Sequence, residues 1–156
     1  MKPKMIVPML VCRDAAAEIE FCKAAFGGTE LSRREENDGS VVHATLMVNG
    51  ALIMVHDVSA QLASRPPGPD GSSSVVIYLY GDEVDSVIER AVSAGAKILM
   101  SAENQFWGDR VGRIVDPQGH VWNIAARSEG SGVDTEVSWP FSPNKLNPNS
   151  LDHERD

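Results

Sequence analysis

The sequence predicts an α+β fold made of two βαβββ modules in one chain. Three observations predict it. Strand-like and helix-like stretches follow the same order in the two halves. The punctuation recurs at a near-constant offset: Asp14 and Gly27 return as Asp82 and Gly95, each 68 positions later. The turn Asn49-Gly50 is matched by Gln118-Gly119, 69 positions on. Self-similarity of this kind is the mark of an internal repeat.

The elements follow in order. Met5 to Cys12 is apolar and partly β-branched, which favours a strand. Asp14 is a helix N-cap, because its carboxylate can accept from the unpaired N–H groups of the first turn. The helix it opens carries an apolar face with Ala17, Phe21 and Ala25. Phe26-Gly27-Gly28 stops it, since glycine tolerates the positive φ of a helix end. Strands follow at Thr29 to Arg34, Val41 to Val48 and Ala51 to Asp57, the last two joined by the Asn49-Gly50 hairpin turn. Ser59 to Ser74 is rich in Pro, Gly and Ser and reads as a linker. The second module has a strand at Ser74 to Tyr80 and a helix capped by Asp82, with Val84, Val87, Ile88 and Ala91 inward. Ala94-Gly95 ends that helix. Strands at Lys97 to Ser101, Arg110 to Val115 and Val121 to Ala126 complete the module. The domain therefore spans 1–127, with modules at about 5–58 and 74–127 and a linker at 59–73. Residues 128–156 form a polar, proline-containing extension in which Trp139-Pro140-Phe141 is the natural anchor.

Composition limits the function classes. The 156 residues are 42% hydrophobic and 23% charged, as in an ordinary globular protein. No apolar run approaches the roughly 20 residues that span a bilayer. The apolar run after Met1-Lys2-Pro3-Lys4 is followed at once by Arg13 and Asp14 with no small-residue cleavage site, so it reads as a strand and not as a leader. A net charge of −8 without a basic cluster argues against nucleic-acid and anionic-membrane partners. Cys12 and Cys22 form no metal or redox spacing, and read as buried, reduced thiols of a cytoplasmic protein. No Ser-His-Asp or Cys-His pattern and no glycine-rich phosphate loop is present.

The stretch Phe106-Trp107-Gly108-Asp109-Arg110, followed by Asp116-Pro117-Gln118-Gly119-His120-Val121-Trp122-Asn123, carries the most specific signal. With the helix ends Ala25-Phe26-Gly27 and Ser93-Ala94-Gly95, it resembles the vicinal-oxygen-chelate superfamily of glyoxalase I, bleomycin-resistance proteins and extradiol dioxygenases. The resemblance covers about residues 5–126. It implies two modules that form an incomplete barrel around a cavity, a small-molecule ligand, and frequent dimerisation. The Ser59 to Ser74 linker permits a homodimer with either shared or exchanged modules. In metal-dependent members, ligands come from equivalent strand positions and leave sites open for a bidentate oxygen substrate. Here those positions fall at Val7, Met54, Val76 and Asn123. Neither valine nor a thioether suits a hard or borderline cation. The expectation is no standard metal centre and no cofactor.

Other residues are left to carry the site. Strand alternation puts Met54 and His56 on one face. His56 is then a proton acceptor or ligand-orienting group, or else a strand-end histidine beside Asp57. His43 is the second catalytic candidate, the alternative being a histidine paired within its sheet. Tyr78 and Tyr80 share the parity of Val76 and line the pocket or pack within the barrel. Trp107, in a loop with Phe106, is a candidate pocket lid. Asn123 faces inward, which turns Trp122 under the helices. Asp116 and Pro117 close a turn, and His120 is expected to bond that turn through its ring. Arg110 and Arg113 pair with Asp109, Asp116 or a ligand carboxylate, within-protein pairing being favoured. The ligand-binding set is thus Met54, His56, Tyr78, Tyr80, Trp107 and Asn123. Two readings follow. One is a metal-free binding protein that sequesters an antibiotic or metabolite, with the acidic charge favouring a cationic ligand. The other is a lyase, isomerase or dioxygenase with a displaced metal, or with acid–base catalysis by His56 or His43.

Overall fold

The computed structural model describes residues 4–127. The Trp139-Pro140-Phe141 anchor and His153 lie outside them. The first module runs β1 (Met9–Cys12), α1 (Ala15–Phe26), β2 (Thr29–Glu35), β3 (Val41–Val48) and β4 (Ala51–Asp57). The second repeats the order with β5 (Val76–Tyr80), α2 (Val84–Ser93), β6 (Lys97–Asn104), β7 (Asp109–Val115) and β8 (Val121–Arg127). Each module is a four-stranded sheet, ordered β1-β4-β3-β2 and β5-β8-β7-β6. In both, the first strand pairs parallel with the last, and the other neighbours are antiparallel. The repeat read from the sequence is therefore a repeat of topology.

Local chemistry explains the ends of the elements. Asp14 accepts from the Ala17 N–H at 2.9 Å and caps α1. Gly27, at φ 64°, closes the helix in the left-handed region. Asn49 and Gly50 both have positive φ, as a tight two-residue hairpin requires. Four expectations need correction. Regular pairing in the first strand begins at Met9, not Met5, although the Met54 N–H still donates to the Pro8 carbonyl at 2.9 Å. Glu83, not Asp82, is the N-cap of α2, and its side chain makes no capping bond. Ala17 is exposed, and the buried face of α1 is Ala15, Glu18, Ile19, Cys22, Ala25 and Phe26, with Phe21 beside it. The strand at Lys97 runs to Asn104, carried past Ser101 by two register shifts against β7.

Each helix covers one face of its sheet, and the two helices pack on each other. A single core runs through both modules, with Phe26 against Trp122 at 4.8 Å between ring centroids. No strand of one sheet pairs with a strand of the other among the described residues, so one chain closes no barrel. The faces turned away from the helices are left open. Cys12 and Cys22 are buried and unbridged, and burial pushes both thiols up.

Candidate functional site

Register decides which side chains share the open face of the second sheet. Tyr78 stands opposite Asn123, and Asn123 opposite Arg113; Tyr80 stands opposite Ala125, and Ala125 opposite Val111. Gly112 lies between Val111 and Arg113 and faces α2, where an added Cβ would meet the Ile88 side chain. Alternation then turns Asp109, Val111 and Arg113 to the open side. Trp122, as expected, lies on the helix side, where its indole donates to Asp116 at 2.8 Å.

Two bonded groups organise this face. In the first, Tyr80 Oη donates to Asp109 Oδ2 at 2.9 Å and Trp107 Nε1 donates to the same oxygen at 3.2 Å. Arg127 approaches the other oxygen at 3.5 Å. Asp109 itself is fully buried. Burial and the adjacent carboxylate push the Tyr80 phenol up, so it remains a donor. Tyr78 stacks on Tyr80 with ring centroids 5.6 Å apart, and Trp107 meets Phe106 edge-on. Tyr78 is 46% exposed and Trp107 is 44% exposed, so aromatic surface is open to a ligand. In the second group, Arg113 Nε donates to Asn123 Oδ1 at 2.7 Å, and Asn123 is only 4% exposed.

The structure thus brings Tyr78, Tyr80, Trp107 and Asn123 to one sheet. Met54 and His56 stand on the other sheet, on the open face of β4. Met54 is half-buried. His56 is buried, with Nδ1 2.8 Å from the Asp57 carbonyl. Asp57 turns the opposite way, and its carboxylate accepts from the N–H groups of Ala15 and Val41 at 2.7 Å each. His43 is half-buried and sits 3.1 Å from Thr45 Oγ1. Val7 precedes β1, and Val76 opens β5 with its side chain 39% exposed.

Three side chains make partners other than those expected. The His120 ring leaves its turn and reaches the Val11 carbonyl of the other module at 3.0 Å, because the turn is already closed by Asp116 accepting from the N–H groups of Gln118 and His120. Arg110 pairs with both oxygens of Asp85 at 2.8 Å, not with Asp109. Arg113 takes an amide rather than an acid. Sequence reasoning missed two contacts of the site, Arg113 with Asn123 and Asp109 with Tyr80. The hairpin at Pro117–Gly119 sets Val115 opposite Val121, which already implies Arg113 opposite Asn123. Asp109 shares the parity of Arg113, but its bond to Tyr80 crosses strands distant in sequence.

The donor set does not fit the metal that the resemblance implies. Val7 and Val76 offer no donor, and Met54 offers a thioether. The Asn123 oxygen is engaged by a guanidinium, whose charge opposes a cation at that spot. Among the described residues, no three His, Cys, Asp or Glu side chains cluster to hold a metal ion. A groove of about 1100 Å³ lies off the end of this sheet beside the first turn of α2, and of the expected ligand residues only Tyr80 lines it. An apolar cleft of about 390 Å³ separates Met5–Pro8 from β5, with Leu52 and Tyr78 in its walls. No helix among the described residues is long and apolar enough to cross a membrane.

A family model described as Glyoxalase/Bleomycin resistance protein/Dioxygenase superfamily matches residues 4–124. Uncharacterised proteins of Mycobacterium bovis and Mycobacterium tuberculosis are each 40% identical over 120 residues; the match covers 75% of this chain, and 79% and 71% of theirs. TioX from Micromonospora sp. ML1 aligns with a TM-score of 0.64 at 24% identity, over 80% of this chain and 99% of its own. A glyoxalase-related enzyme from Fulvimarina pelagi aligns with a TM-score of 0.63 at 22% identity, over 81% and 89%. At these identities the structural likenesses speak to the fold alone.

Proposed function

Because the chain belongs to the glyoxalase/bleomycin resistance protein/dioxygenase superfamily, we propose that it is a small-molecule binding protein that works without the superfamily's standard metal centre and sequesters an antibiotic or metabolite. One observation carries the reading. The four positions that the resemblance assigns to metal ligands are Val7, Met54, Val76 and Asn123, and the amide among them is spent on Arg113. What remains on the open face is recognition chemistry: flat rings at Tyr78, Tyr80 and Trp107, two of them held by one buried carboxylate.

In this reading the binding unit is the pair of modules, residues 1–127, and the protein is a cytoplasmic homodimer. The unbridged thiols are in keeping with a reducing compartment. A second copy supplies the wall that one chain lacks, so that the face bearing Met54 and His56 meets the face bearing Tyr78 and Asn123. Acid–base catalysis by His56 gains little support, because that residue is only 4% exposed.

Metal analysis of protein purified without chelator tests the reading directly. No stoichiometric Zn, Ni, Mn or Fe is expected, and finding any one of them overturns it. In parallel, tryptophan emission is followed across a panel of aromatic antibiotics and metabolites. At least one member is expected to quench or shift it, and Trp107→Ala is expected to remove the change. Silence across the panel counts against binding.

A further inference from the structure

Arg113 is a charged side chain whose intramolecular bonding stops halfway. Its Nε is used by Asn123 at 2.7 Å. Among the described residues its two terminal nitrogens have no hydrogen-bond acceptor, and no carboxylate pairs with it. Among the described arginines, Arg33 pairs with Glu30 and Glu35, Arg110 with Asp85 and Arg127 with Asp109, while Arg13 and Arg90 donate to backbone carbonyls; Arg113 is the one held by a buried side-chain amide. Arg113 is half-buried in mid-strand, with Met100 opposite it on one side and Asn123, then Tyr78, on the other. Asn123 is buried, so the bond that aims the guanidinium is a fixed one.

We infer that the open face of the β5-β8-β7-β6 sheet is an oxyanion-recognition site, in which Arg113, aimed by Asn123, binds the carboxylate of an aromatic carboxylic acid whose ring lies against Tyr78. The inference rests on the binding reading proposed above and gives it a ligand class. A guanidinium with Nε tied down still offers a pair of N–H donors, which suits the two oxygens of a carboxylate. Neighbouring apolar and aromatic surface weakens competition from water and strengthens such a pair. Position 123 is also one of the four that the resemblance assigns to metal ligands. The resemblance puts a carboxylate there to hold a cation that polarises ligand oxygens; here an amide holds a guanidinium that can meet ligand oxygens directly. The net charge of −8 opposes the approach of an anion at long range. That effect acts mainly on encounter rate and is screened by salt, whereas selectivity is set by the groups in contact.

The test uses the full-length protein and three probes of one shape: benzoate, neutral benzamide and cationic benzamidine. Binding is read by isothermal titration and by Tyr and Trp emission. Benzoate is expected to bind at least tenfold more tightly than either analogue. Arg113→Gln is expected to weaken benzoate at least tenfold. Asn123→Asp is expected to do the same, because a near-isosteric carboxylate then occupies the guanidinium; its melting temperature shows that the fold is retained. Arg113→Lys keeps the charge but not the paired donors and should fall between. Benzamidine binding more tightly than benzoate overturns the inference while leaving the binding reading in place. Benzoate affinity unchanged in both Arg113→Gln and Asn123→Asp overturns it too. If none of the three probes binds the native protein, the oxyanion site falls, and the broader reading is judged on its own panel.

Discussion

Asp109 and Glu18 are both buried acids, and they resolve their burial in opposite ways. Asp109 accepts from Tyr80 and Trp107 through one oxygen, while the other has only the Arg127 charge, 3.5 Å away. Removing the acceptor strands the indole and phenol groups, so Asp109→Ala should cost about 1–3 kcal/mol in chemical denaturation. Glu18 has the reverse problem. It is fully buried beside Asp116, and its nearest donor is the Cys22 thiol at 3.7 Å. Asp116 is already occupied as an acceptor by the N–H groups of Gln118 and His120 and by the Trp122 indole. Burial first, and then the Asp116 charge, hold the Glu18 carboxyl well above the usual range. A raised acid stabilises the fold fully below its unfolded pKa of about 4.3 and loses that contribution as pH rises towards the folded value. Glu18→Gln should therefore match the native protein near pH 4 and exceed it in stability increasingly from pH 5 to 8. Urea unfolding across that range measures the gap, and a gap that does not grow with pH refutes the assignment. Neither role was legible in the sequence: Asp109 is decided by burial and by contacts between strands distant in sequence, and Glu18 by burial and cross-module contact with Asp116. The Arg113–Asn123 pair was missed too, although the hairpin at Pro117–Gly119 that fixes its register is written in the sequence.

Elements were more legible than residues because their signals are local. Asp14 and Gly27 bracket α1 as their chemistry dictates, and Asn49-Gly50 forms the turn it encodes. The sequence reading failed where packing overrides a local signal. Ala17 has helix periodicity but faces solvent, while a glutamate takes the core position. Strand β6 continues past Ser101 because β7 pairs with it through register shifts that no short-range pattern announces. Close approach between α2 and the sheet is set by Gly112, where a Cβ would collide with Ile88 and come within 3.3 Å of the Ala102 backbone. Overpacking of this kind typically costs about 1–3 kcal/mol, so Gly112→Ala should lower the melting temperature, and Gly112→Val should lower it further. If Gly112→Ala melts as the native protein does, α2 is looser on its sheet than described.

At the scale of the molecule, the modules are sealed on the helix side and open on the other. The seal is specific: the Val11 carbonyl faces the His120 ring, the Gln118 side chain accepts from the N–H groups of Arg13 and Asp14, and Arg90 reaches the Ala25 carbonyl. Burial pushes the His120 imidazole down, which keeps it neutral in that seam. The open side leaves Tyr78 and Met100 at the surface. A homodimer that covers these faces should show twice the chain mass by light scattering. Its melting temperature should rise with protein concentration, as mass action requires. A monomer at micromolar concentration would refute the shared wall.

The bond between Arg113 and Asn123 also bears on what mutation can reach from this sequence. A single codon change at position 123 would set an acid where the resemblance places a carboxylate, yet the new side chain meets a guanidinium already in place and is neutralised by it. An acid at 123 therefore confers no metal affinity until Arg113 also changes, and Val7 and Val76 must change besides. The contact that fixes the guanidinium on this face thus also stands between position 123 and a cation.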